Sequence, residues 1–242
     1  MIQLFTRPLP LVDADRKIVV LWSPKSACTT AYVWFSALCG FLPEVRAFGD
    51  WPHAHREQVF RKLERYRAAR TGDISDYHVV KIIRDPYARA ASCFRHAVRN
   101  RLVEQRSISF RDFLLILARN DMEAVNIHFW PQFHLLERVR RPDTIINVSK
   151  GALFAELNAL EARMGWPVTD FASMAWLREL ENARRPIRLA TDKSDWFAEP
   201  ILRSRPPKST PFPQDSAFLT PEAKLLIARI YRADFEAYSD WL

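Results

Sequence analysis

The chain has 242 residues, of which 48% are hydrophobic, and it contains eight Trp and 16 Phe. This length suits one large domain with a substantial core, and the aromatic content excludes a disordered chain, which could not offset its conformational entropy. The formal net charge of +8 favours an anionic partner: a nucleotide, a nucleic acid, an acidic glycan or a membrane surface.

Cysteine usage and the apolar pattern bear on the cellular compartment. Cys28, Cys39 and Cys93 are few and lack zinc-ligand spacing, so we expect reduced thiols in a cytoplasmic protein. The opening residues, MIQLFTRPLPLVDADRK, lack a charged leader followed by a long apolar region, and no stretch approaches the ~18 apolar residues of a membrane span. The sequence therefore predicts no transmembrane segment, and any membrane contact would be peripheral.

The first predicted elements are a strand and a helix separated by a polar turn. Residues 17–22 read as a buried strand, and residues 29–38 read as a helix that ends near Gly40. Residues 56–70, REQVFRKLERYRAAR, follow as one amphipathic helix with a solvated basic face.

A second strand-turn-helix unit follows. Residues 77–83 predict a strand that Arg84-Asp85-Pro86 ends, and Pro86 suits the first turn of a helix running to about Arg99. Further helices are expected at 110–119, 151–164 and 221–238, the last starting after Thr220, with a short strand at 144–148. Strands alternating with helices predict an α/β fold with a mainly parallel sheet covered on both faces, which binds ligands beyond the carboxyl ends of its strands.

The polar turn after the first predicted strand, SPKSACTT, has groups suited to a phosphate. Lys25 supplies a charge, Ser26, Thr29 and Thr30 supply hydroxyl donors, and the new helix presents free backbone N–H groups. The turn lacks both glycines of a Walker A loop, which disfavours an ATP site of that kind. A capped turn with a surface lysine explains the segment equally well.

The turn after the second strand, RDPYARAASCF, offers Arg84 and, eight residues later, Ser92, with Arg89 nearby. Such groups could bind a second phosphate. The alternative is an Arg84 paired with Asp85 or another carboxylate and a Ser92 that fills a small packing site.

Together, these two segments resemble the sulfotransferases that use 3′-phosphoadenosine 5′-phosphosulfate (PAPS), and in particular the carbohydrate branch called sulfotransferase family 2. SPKSACTT is similar to the family's 5′-phosphosulfate loop, and RDPYARAASCF to its 3′-phosphate motif, in the same order. Weaker similarity follows in HFWPQF (128–133), in TIINVSK and in IYRADFEAYSDW. The resemblance implies a single P-loop-like domain over residues 1–242, with a central parallel sheet flanked by helices.

The resemblance also implies the chemistry. A bacterial enzyme of this kind would move a sulfuryl group from PAPS to a hydroxyl of a carbohydrate, glycolipid or related small acceptor, release adenosine 3′,5′-bisphosphate and need no metal.

The resemblance further implies roles for individual residues. Lys25 would stabilise charge on the bridging oxygen of the donor; the 5′ end would be bound by the loop residues Ser26, Ala27, Cys28, Thr29 and Thr30, and the 3′-phosphate by Arg84 and Ser92. Many cytosolic members have Gly-Thr where this chain has Ala27-Cys28, and this departure favours the carbohydrate branch. The NVSK segment lacks the acidic residue that often follows its counterpart.

Removal of the acceptor proton requires a base, and the histidines are the first candidates. The segment WPHAHRE lies between the two motifs, where related enzymes often have their base, so we prefer His55, then His53, with His128 as the rival and Glu57 as an outside candidate. For each histidine the alternative is a hydrogen-bonded or solvent-facing side chain. A basic segment, RSRPPKSTP, adds Arg205 and Lys208 as candidates for closing over the 3′-phosphate, or else forms a solvated linker.

Two other functions compete with this interpretation. A nucleotide kinase or other phosphotransferase is disfavoured by the missing Walker glycines and by the lack of an evident Mg²⁺-binding aspartate after an apolar strand. A nucleic-acid-binding protein is supported by the net charge but by no recognised reading motif.

Overall fold

The computed structural model describes residues 7–121, 124–183, 185–190, 193 and 195–242. The described chain divides into two compact units. The first takes its residues from Met1–Ile83 and Phe133–Ala183 with Trp241, and the second from Arg84–Gln132 and Arg184–Asp240 with Leu242. The single domain expected over residues 1–242 stays a prediction.

The first unit contains a four-stranded sheet in the order β1-β2-β3-β5. Its strands are β1 (Leu11–Asp13), β2 (Ile18–Leu21), β3 (His78–Ile83) and β5 (Thr144–Asn147). β1 is antiparallel to β2, whereas β2, β3 and β5 are parallel, with the pairs Leu21–Lys81 and Ile83–Asn147 in register. This mostly parallel sheet confirms the predicted α/β class.

Side-chain burial shows why the sheet is internal. Every residue of β2 is buried, as are all but the first of β3. Successive strand residues point to opposite faces, so both faces of these two strands are covered. The apolar, β-branched runs IVVL and HVVKII are suited to that environment.

The helices of the first unit are α1 (Cys28–Leu38), α2 (Leu42–Arg46), α3 (Pro52–Gln58), α4 (Glu64–Thr71), α7 (Leu153–Arg163) and α8 (Ala175–Ala183). Its core is rich in aromatic residues, among them Tyr32, Trp34, Phe35 and Phe60. Short 3-10 helices lie at Phe60–Lys62, Leu135–Arg138, Val148–Lys150 and Phe171–Ser173.

The single helix predicted for residues 56–70 is wrong. The chain leaves helical geometry at Val59 (φ −117°, ψ −69°) and again at Leu63, where ψ is 131°. These breaks let Phe60 and Tyr66 both enter the core with ring centroids 4.5 Å apart, while Val59 stays exposed. Burial of two aromatic rings outweighs the continuity of one helix.

The second unit contains the helices α5 (Pro86–Arg99), α6 (Phe110–Arg119), α9 (Pro221–Ile230) and α10 (Arg232–Tyr238). Strands β4 (Ser107–Ser109) and β6 (Pro200–Leu202) form a two-stranded antiparallel sheet. Its 3-10 helices are Ile127–Phe129, Pro207–Ser209 and Asp215–Phe218, and one more spans Ser239–Trp241. The core is built on Phe94, Phe110, Phe113, Phe212 and Phe218.

Helices α5 and α9 both begin where the sequence predicts, at Pro86 and directly after Thr220. Asp85 caps α5 by accepting a hydrogen bond from the Ala88 N–H at 2.8 Å, and Thr220 caps α9 by accepting from the Ala223 N–H at 3.2 Å. The helix predicted through residue 238 is interrupted, because Tyr231 has φ −107° and ψ 32°. Within the described residues, no helix has the length and apolar character required to cross a membrane.

Candidate active site

The turn between β2 and α1 has an unusual backbone. Lys25 (φ 67°) and Ala27 (φ 54°, ψ 32°) both adopt left-handed geometry, which costs an L-residue roughly 1–2 kcal/mol. Ala27 is the N-cap of α1 and provides no side-chain acceptor, so the first N–H groups of the helix receive no cap from it. Successive N–H groups in such a turn form a concave site for an anion.

The hydroxyl groups predicted on this turn have different surroundings. Ser26 is fully buried, and its Oγ accepts a hydrogen bond from Ser23 Oγ at 3.2 Å. Thr30 is also buried and donates to Glu181 Oε1, on α8, at 2.7 Å. Thr29 and Lys25 are partly exposed. The carboxylate of Glu181 beside this turn was not predicted.

His53, on α3, lies against the start of α1. Its Nε2 is 3.1 Å from Thr29 Oγ1 and 3.6 Å from Cys28 Sγ. Its Nδ1 is buried and has no hydrogen-bond partner among the described residues. Of the three candidate histidines, His53 is the one whose ring contacts residues of the predicted phosphosulfate loop.

His55 lies two positions further along α3 and faces the aromatic core. It is buried, its Nδ1 is 2.7 Å from the Tyr32 hydroxyl, and its ring stacks on Phe41 with centroids 5.7 Å apart. Burial lowers the pKa of His55, and Glu44 opposes that shift. These contacts match the alternative stated for each histidine, a hydrogen-bonded side chain packed in the core.

The Cys28 thiol has positive groups around it. Burial raises its pKa, but the charge and hydrogen bond of His53, with the charges of Arg56 and Lys25, outweigh burial and lower the pKa to about 6. Cys28, Cys39 and Cys93 are all free thiols, as predicted.

Arg56 is an interior exception to the predicted solvated basic face, in which Lys62, Arg65 and Arg67 are exposed. Only 7% of Arg56 is exposed; its guanidinium lies 4.0 Å from the centroid of the Trp22 ring, and Nη2 is 3.0 Å from Glu57 Oε1. Its Nη1 is buried without a hydrogen-bond partner among the described residues. Flat guanidinium groups stack on aromatic rings, and this contact offsets part of the desolvation.

In the second unit, Gln132 fixes the backbone of Arg84. The Arg84 N–H donates to Gln132 Oε1, and Gln132 Nε2 donates to the Arg84 carbonyl oxygen, both at 2.8 Å. The Gln132 N–H in turn donates to Asp234 Oδ1 at 2.6 Å. The segments HFWPQF and IYRADFEAY thus contribute to positioning the first residue after β3.

Several cations surround one carboxylate near Arg84. Asp215 forms an ion pair with Arg95 and a second one, at 3.0 Å, with Arg188. Burial lowers the pKa of Arg84, and the charge of Asp215 opposes that shift. Ser92 is 8% exposed on α5. Residues three apart on a helix lie on the same face, so the position of Arg95 relative to Ser92 could have indicated Arg95 as a further phosphate-binding candidate. Arg188 is distant in sequence from both, and no sequence pattern indicated it.

Arg89 and His128, the other candidates of the second unit, contact neighbouring aromatic rings and polar groups. Arg89 is buried, donates from Nη2 to the Trp130 carbonyl oxygen at 2.6 Å and lies 5.4 Å from the centroid of the Tyr231 ring. His128 has its Nδ1 2.7 Å from Asn126 Oδ1 and its ring centroid 4.1 Å from that of His96.

Arg205 and Lys208 are both exposed, on a loop that Thr210 organises by accepting a hydrogen bond from the Ser204 N–H at 3.0 Å. The described residues contain no group of three or more His, Cys, Asp or Glu side chains arranged to hold a metal ion.

Comparison with known proteins adds one finding to this geometry. A family model described as "Sulfotransferase family" matches residues 10–157, a span that covers β1 to β5 and most of the candidate residues. Neither the curated proteins nor the solved structures yield a match.

Proposed function

The chain belongs to the sulfotransferase family, and from this premise we propose that it transfers a sulfuryl group from PAPS to a hydroxyl of an acceptor and releases adenosine 3′,5′-bisphosphate. Family membership supports sulfotransfer as the activity. The observation that carries the choice of donor is the left-handed turn at Lys25 and Ala27, directly before the N-terminus of α1.

The turn after β2 suits the 5′-phosphosulfate end of the donor. Backbone N–H groups of the turn and of the first turn of α1 are donors for an anion, and Lys25 adds a full positive charge. Thr29 is the partly exposed hydroxyl of the loop, whereas the Thr30 hydroxyl already donates to Glu181. We therefore assign the 5′ end to Lys25, Thr29 and the loop backbone, with Ser26 shaping the turn from inside.

The arginine cluster of the second unit suits a 3′-phosphate. Arg84, Arg95 and Arg188 bring three positive charges, and Asp215 neutralises one of them. A phosphate dianion would complete the charge balance, and guanidinium groups are the donors best matched to phosphate geometry. Ser92 would add a hydroxyl donor. Arg205 and Lys208, being exposed, are assigned a secondary role in covering this phosphate.

The proposed chemistry needs in-line attack and charge stabilisation. The acceptor oxygen forms a bond to sulfur while the bond between sulfur and the bridging phosphate oxygen breaks, and the electron pair stays on that oxygen. Lys25 stabilises the negative charge that develops there. His53 takes the acceptor proton at Nε2, because this ring nitrogen faces the loop, whereas His55 is held in the aromatic core.

A groove in the first unit suits a hydroxyl-rich acceptor. Two adjoining cavities of about 460 and 390 Å³ share Arg46 and Trp176. The smaller cavity is also lined by Asp50 and Glu179. An aromatic face can pack on the C–H groups of a sugar ring while charged side chains bind its hydroxyls. Neither cavity is lined by Lys25, Thr29 or His53, so the carbohydrate or glycolipid acceptor is proposed from the resemblance to the carbohydrate branch and not from this groove.

The proposal is tested by incubating the full chain with sulfate-labelled PAPS and a panel of glycans, glycolipids and phenols. We expect label on at least one carbohydrate-bearing acceptor and equimolar adenosine 3′,5′-bisphosphate. Label only on phenols would overturn the acceptor class. Phosphoryl transfer from Mg-ATP without sulfuryl transfer would overturn the activity itself.

A further inference from the structure

The three cysteines of the chain have markedly different surroundings. Cys28 is partly exposed, begins α1 and has its Sγ 3.6 Å from His53 Nε2. Cys93 is fully buried and donates to the His128 carbonyl oxygen at 3.1 Å. Burial raises the pKa of Cys39, and the neighbouring Asp13 raises it further. The surroundings therefore favour a thiolate at Cys28 and a thiol at Cys39.

Groups from two segments act on Cys28: His53, whose Nε2 is 3.6 Å from Sγ, and Arg56 from α3, and Lys25 from the turn before α1. Burial opposes ionisation of Cys28, but these groups bring the pKa to about 6, compared with about 8.5 for an ordinary cysteine. The N-terminus of α1 contributes in the same direction, because its dipole favours negative charge. These effects favour the thiolate form of Cys28.

Arg56 is a buried guanidinium whose charge acts on Cys28. Only 7% of Arg56 is exposed, yet its Nη1 has no hydrogen-bond partner among the described residues. A buried guanidinium nitrogen without an acceptor is costly unless negative charge lies close to it. Cys28 supplies such charge, since its thiolate raises the pKa of Arg56 against the lowering effect of burial.

We propose that Cys28 is a site of covalent modification by hydroperoxides and other small electrophiles, and that its modification blocks the turn between β2 and α1. The reactivity of the thiol is independent of the sulfotransferase activity. The blocking of donor binding rests on the proposed function, because it requires that the 5′ end of the donor binds this turn.

The reaction with a hydroperoxide is balanced without a metal or a second protein. The Cys28 thiolate attacks one oxygen of hydrogen peroxide, an S–O bond forms, and the O–O bond breaks. Hydroxide leaves with the electron pair and takes a proton from solvent, giving water. The sulfur is oxidised to a sulfenic acid, and the peroxide is reduced. The added oxygen then lies beside Thr29 and His53, where the first turn of α1 would otherwise contact an anion.

His53 Nε2 has two roles that exclude each other. When this nitrogen carries the ring proton it can donate to the Cys28 thiolate, and when it is unprotonated it has the lone pair that a general base needs. His53 can therefore accept the acceptor's proton only in the state in which Nε2 has released its own proton and no longer donates to Cys28. Modification of Cys28 removes the thiolate and adds bulk at the same nitrogen, so it disturbs the proposed base as well as the turn.

The test is the pH dependence of alkylation by iodoacetamide, with each cysteine quantified by peptide mass spectrometry. In the native full chain we expect labelling of Cys28 with a half-maximum near pH 6, and little labelling of Cys39 or Cys93. In urea all three cysteines should be labelled, each with a half-maximum at about pH 8.5. The pH midpoint of labelling decides the test, and the labelling rate does not, because thiolates of low pKa are intrinsically weaker nucleophiles. A native Cys28 midpoint equal to that in urea would overturn the proposal.

A variant pair tests the cause of this reactivity. His53→Gln should move the native midpoint of Cys28 upward, and the midpoint is compared instead of the rate at pH 7, because a less acidic thiolate is the stronger nucleophile. His78→Gln is the matched control, because His78 lies on β3 and contacts Thr144, and its profile should equal that of the wild type. Equal profiles in all three proteins would contradict the role of His53. If His53→Gln does not fold, the wild-type midpoint alone decides the proposal.

Two further measurements separate modification from donor binding. Hydrogen peroxide followed by dimedone, which traps sulfenic acids, should label Cys28 and leave Cys39 unlabelled; absence of the adduct would overturn the oxidation step. Saturating adenosine 3′,5′-bisphosphate should slow alkylation of Cys28 at least about tenfold. A low midpoint with no protection would support the reactive thiolate and overturn both the blocking effect and the assignment of the 5′ end to this turn.

Discussion

At Lys25 the backbone geometry and the side-chain charge favour the same ligand. A non-glycine residue held at φ 67° is strained by roughly 1–2 kcal/mol, and strain of this kind persists where the surrounding structure fixes it. Turns with this geometry can present successive N–H groups to an anion, and the ammonium group adds charge to the same turn. This combination is more specific for an anion than either feature alone.

The substitution Lys25→Ala should lower kcat by about 10²–10³-fold, the loss typical of one preorganised charge-stabilising group. Binding of adenosine 3′,5′-bisphosphate should change less, because this product lacks the sulfuryl group. Steady-state kinetics with saturating PAPS measure the effect. Lys62→Ala, at an exposed position, is the control and should match the wild type. Wild-type kcat in Lys25→Ala would contradict the role of Lys25.

For His53 the expected change is in transfer and not in donor binding. His53→Gln should lower kcat by about 10²–10⁴-fold, the usual contribution of a general base, while calorimetry shows product binding within about twofold of wild type. His55→Gln is the informative comparison: it disturbs the contact with Tyr32 and the stacking on Phe41, so it should lower stability. A folded His55→Gln that has lost transfer, beside an active His53→Gln, would restore His55 as the base.

Substitution of Arg84 should mainly weaken the affinity for adenosine 3′,5′-bisphosphate. Arg84→Ala removes a charge-assisted contact to the 3′-phosphate, worth about 1.5–3 kcal/mol, which corresponds to roughly 10- to 150-fold weaker binding of adenosine 3′,5′-bisphosphate. Titration calorimetry measures this directly. Arg119→Ala, in the last turn of α6 and exposed, removes the same charge elsewhere and should bind like the wild type. Equal affinity in both variants would argue against Arg84 as a phosphate ligand.

Among the elements, the break between α9 and α10 has a clear structural consequence. Tyr231 leaves helical geometry, and Asp234, in α10, becomes fully buried and accepts a hydrogen bond from the Gln132 N–H. A regular helix pattern predicted residues 221–238 as continuous, because all of them are compatible with a helix. The interruption depends on partners that are distant in sequence, and periodicity alone does not contain them.

Strand β3 contains a buried ion pair, whose stability effect can be measured. Lys81 Nζ is 3.0 Å from Glu137 Oε1, with 0% and 4% of their side chains exposed. Lys81→Ala leaves the Glu137 charge buried without this partner and should lower the free energy of unfolding by about 3–5 kcal/mol in urea denaturation. Arg232→Ala breaks an exposed pair with Glu236 and should change it by less than about 1 kcal/mol. Similar effects of both substitutions would contradict this account.

For the whole molecule, the sequence predicted the order of strands and helices around both turns correctly. Apolar runs, Pro86 and the capping residues Asp85 and Thr220 are local signals, and β2, α1, β3 and α5 were therefore predicted to within one or two residues. Burial of Arg56, the choice between His53 and His55, and the pairing of Arg188 with Asp215 depend on contacts between segments distant in sequence. No local pattern encodes these contacts, so they required the structure.

The net charge of +8 is consistent with a polyanionic ligand, but it does not distinguish PAPS from ATP or nucleic acid. That choice depends on the arrangement of the turn at Lys25 and of the arginines around Asp215.

The most direct test of the account is a calorimetric titration of the full chain, without divalent metal, with adenosine 3′,5′-bisphosphate and in parallel with ADP. We expect saturable binding of adenosine 3′,5′-bisphosphate, weakened in Arg84→Ala, and much weaker binding of ADP, which lacks the 3′-phosphate. Absence of binding to adenosine 3′,5′-bisphosphate, together with binding of ATP in a further titration with added Mg²⁺, would contradict the proposed donor.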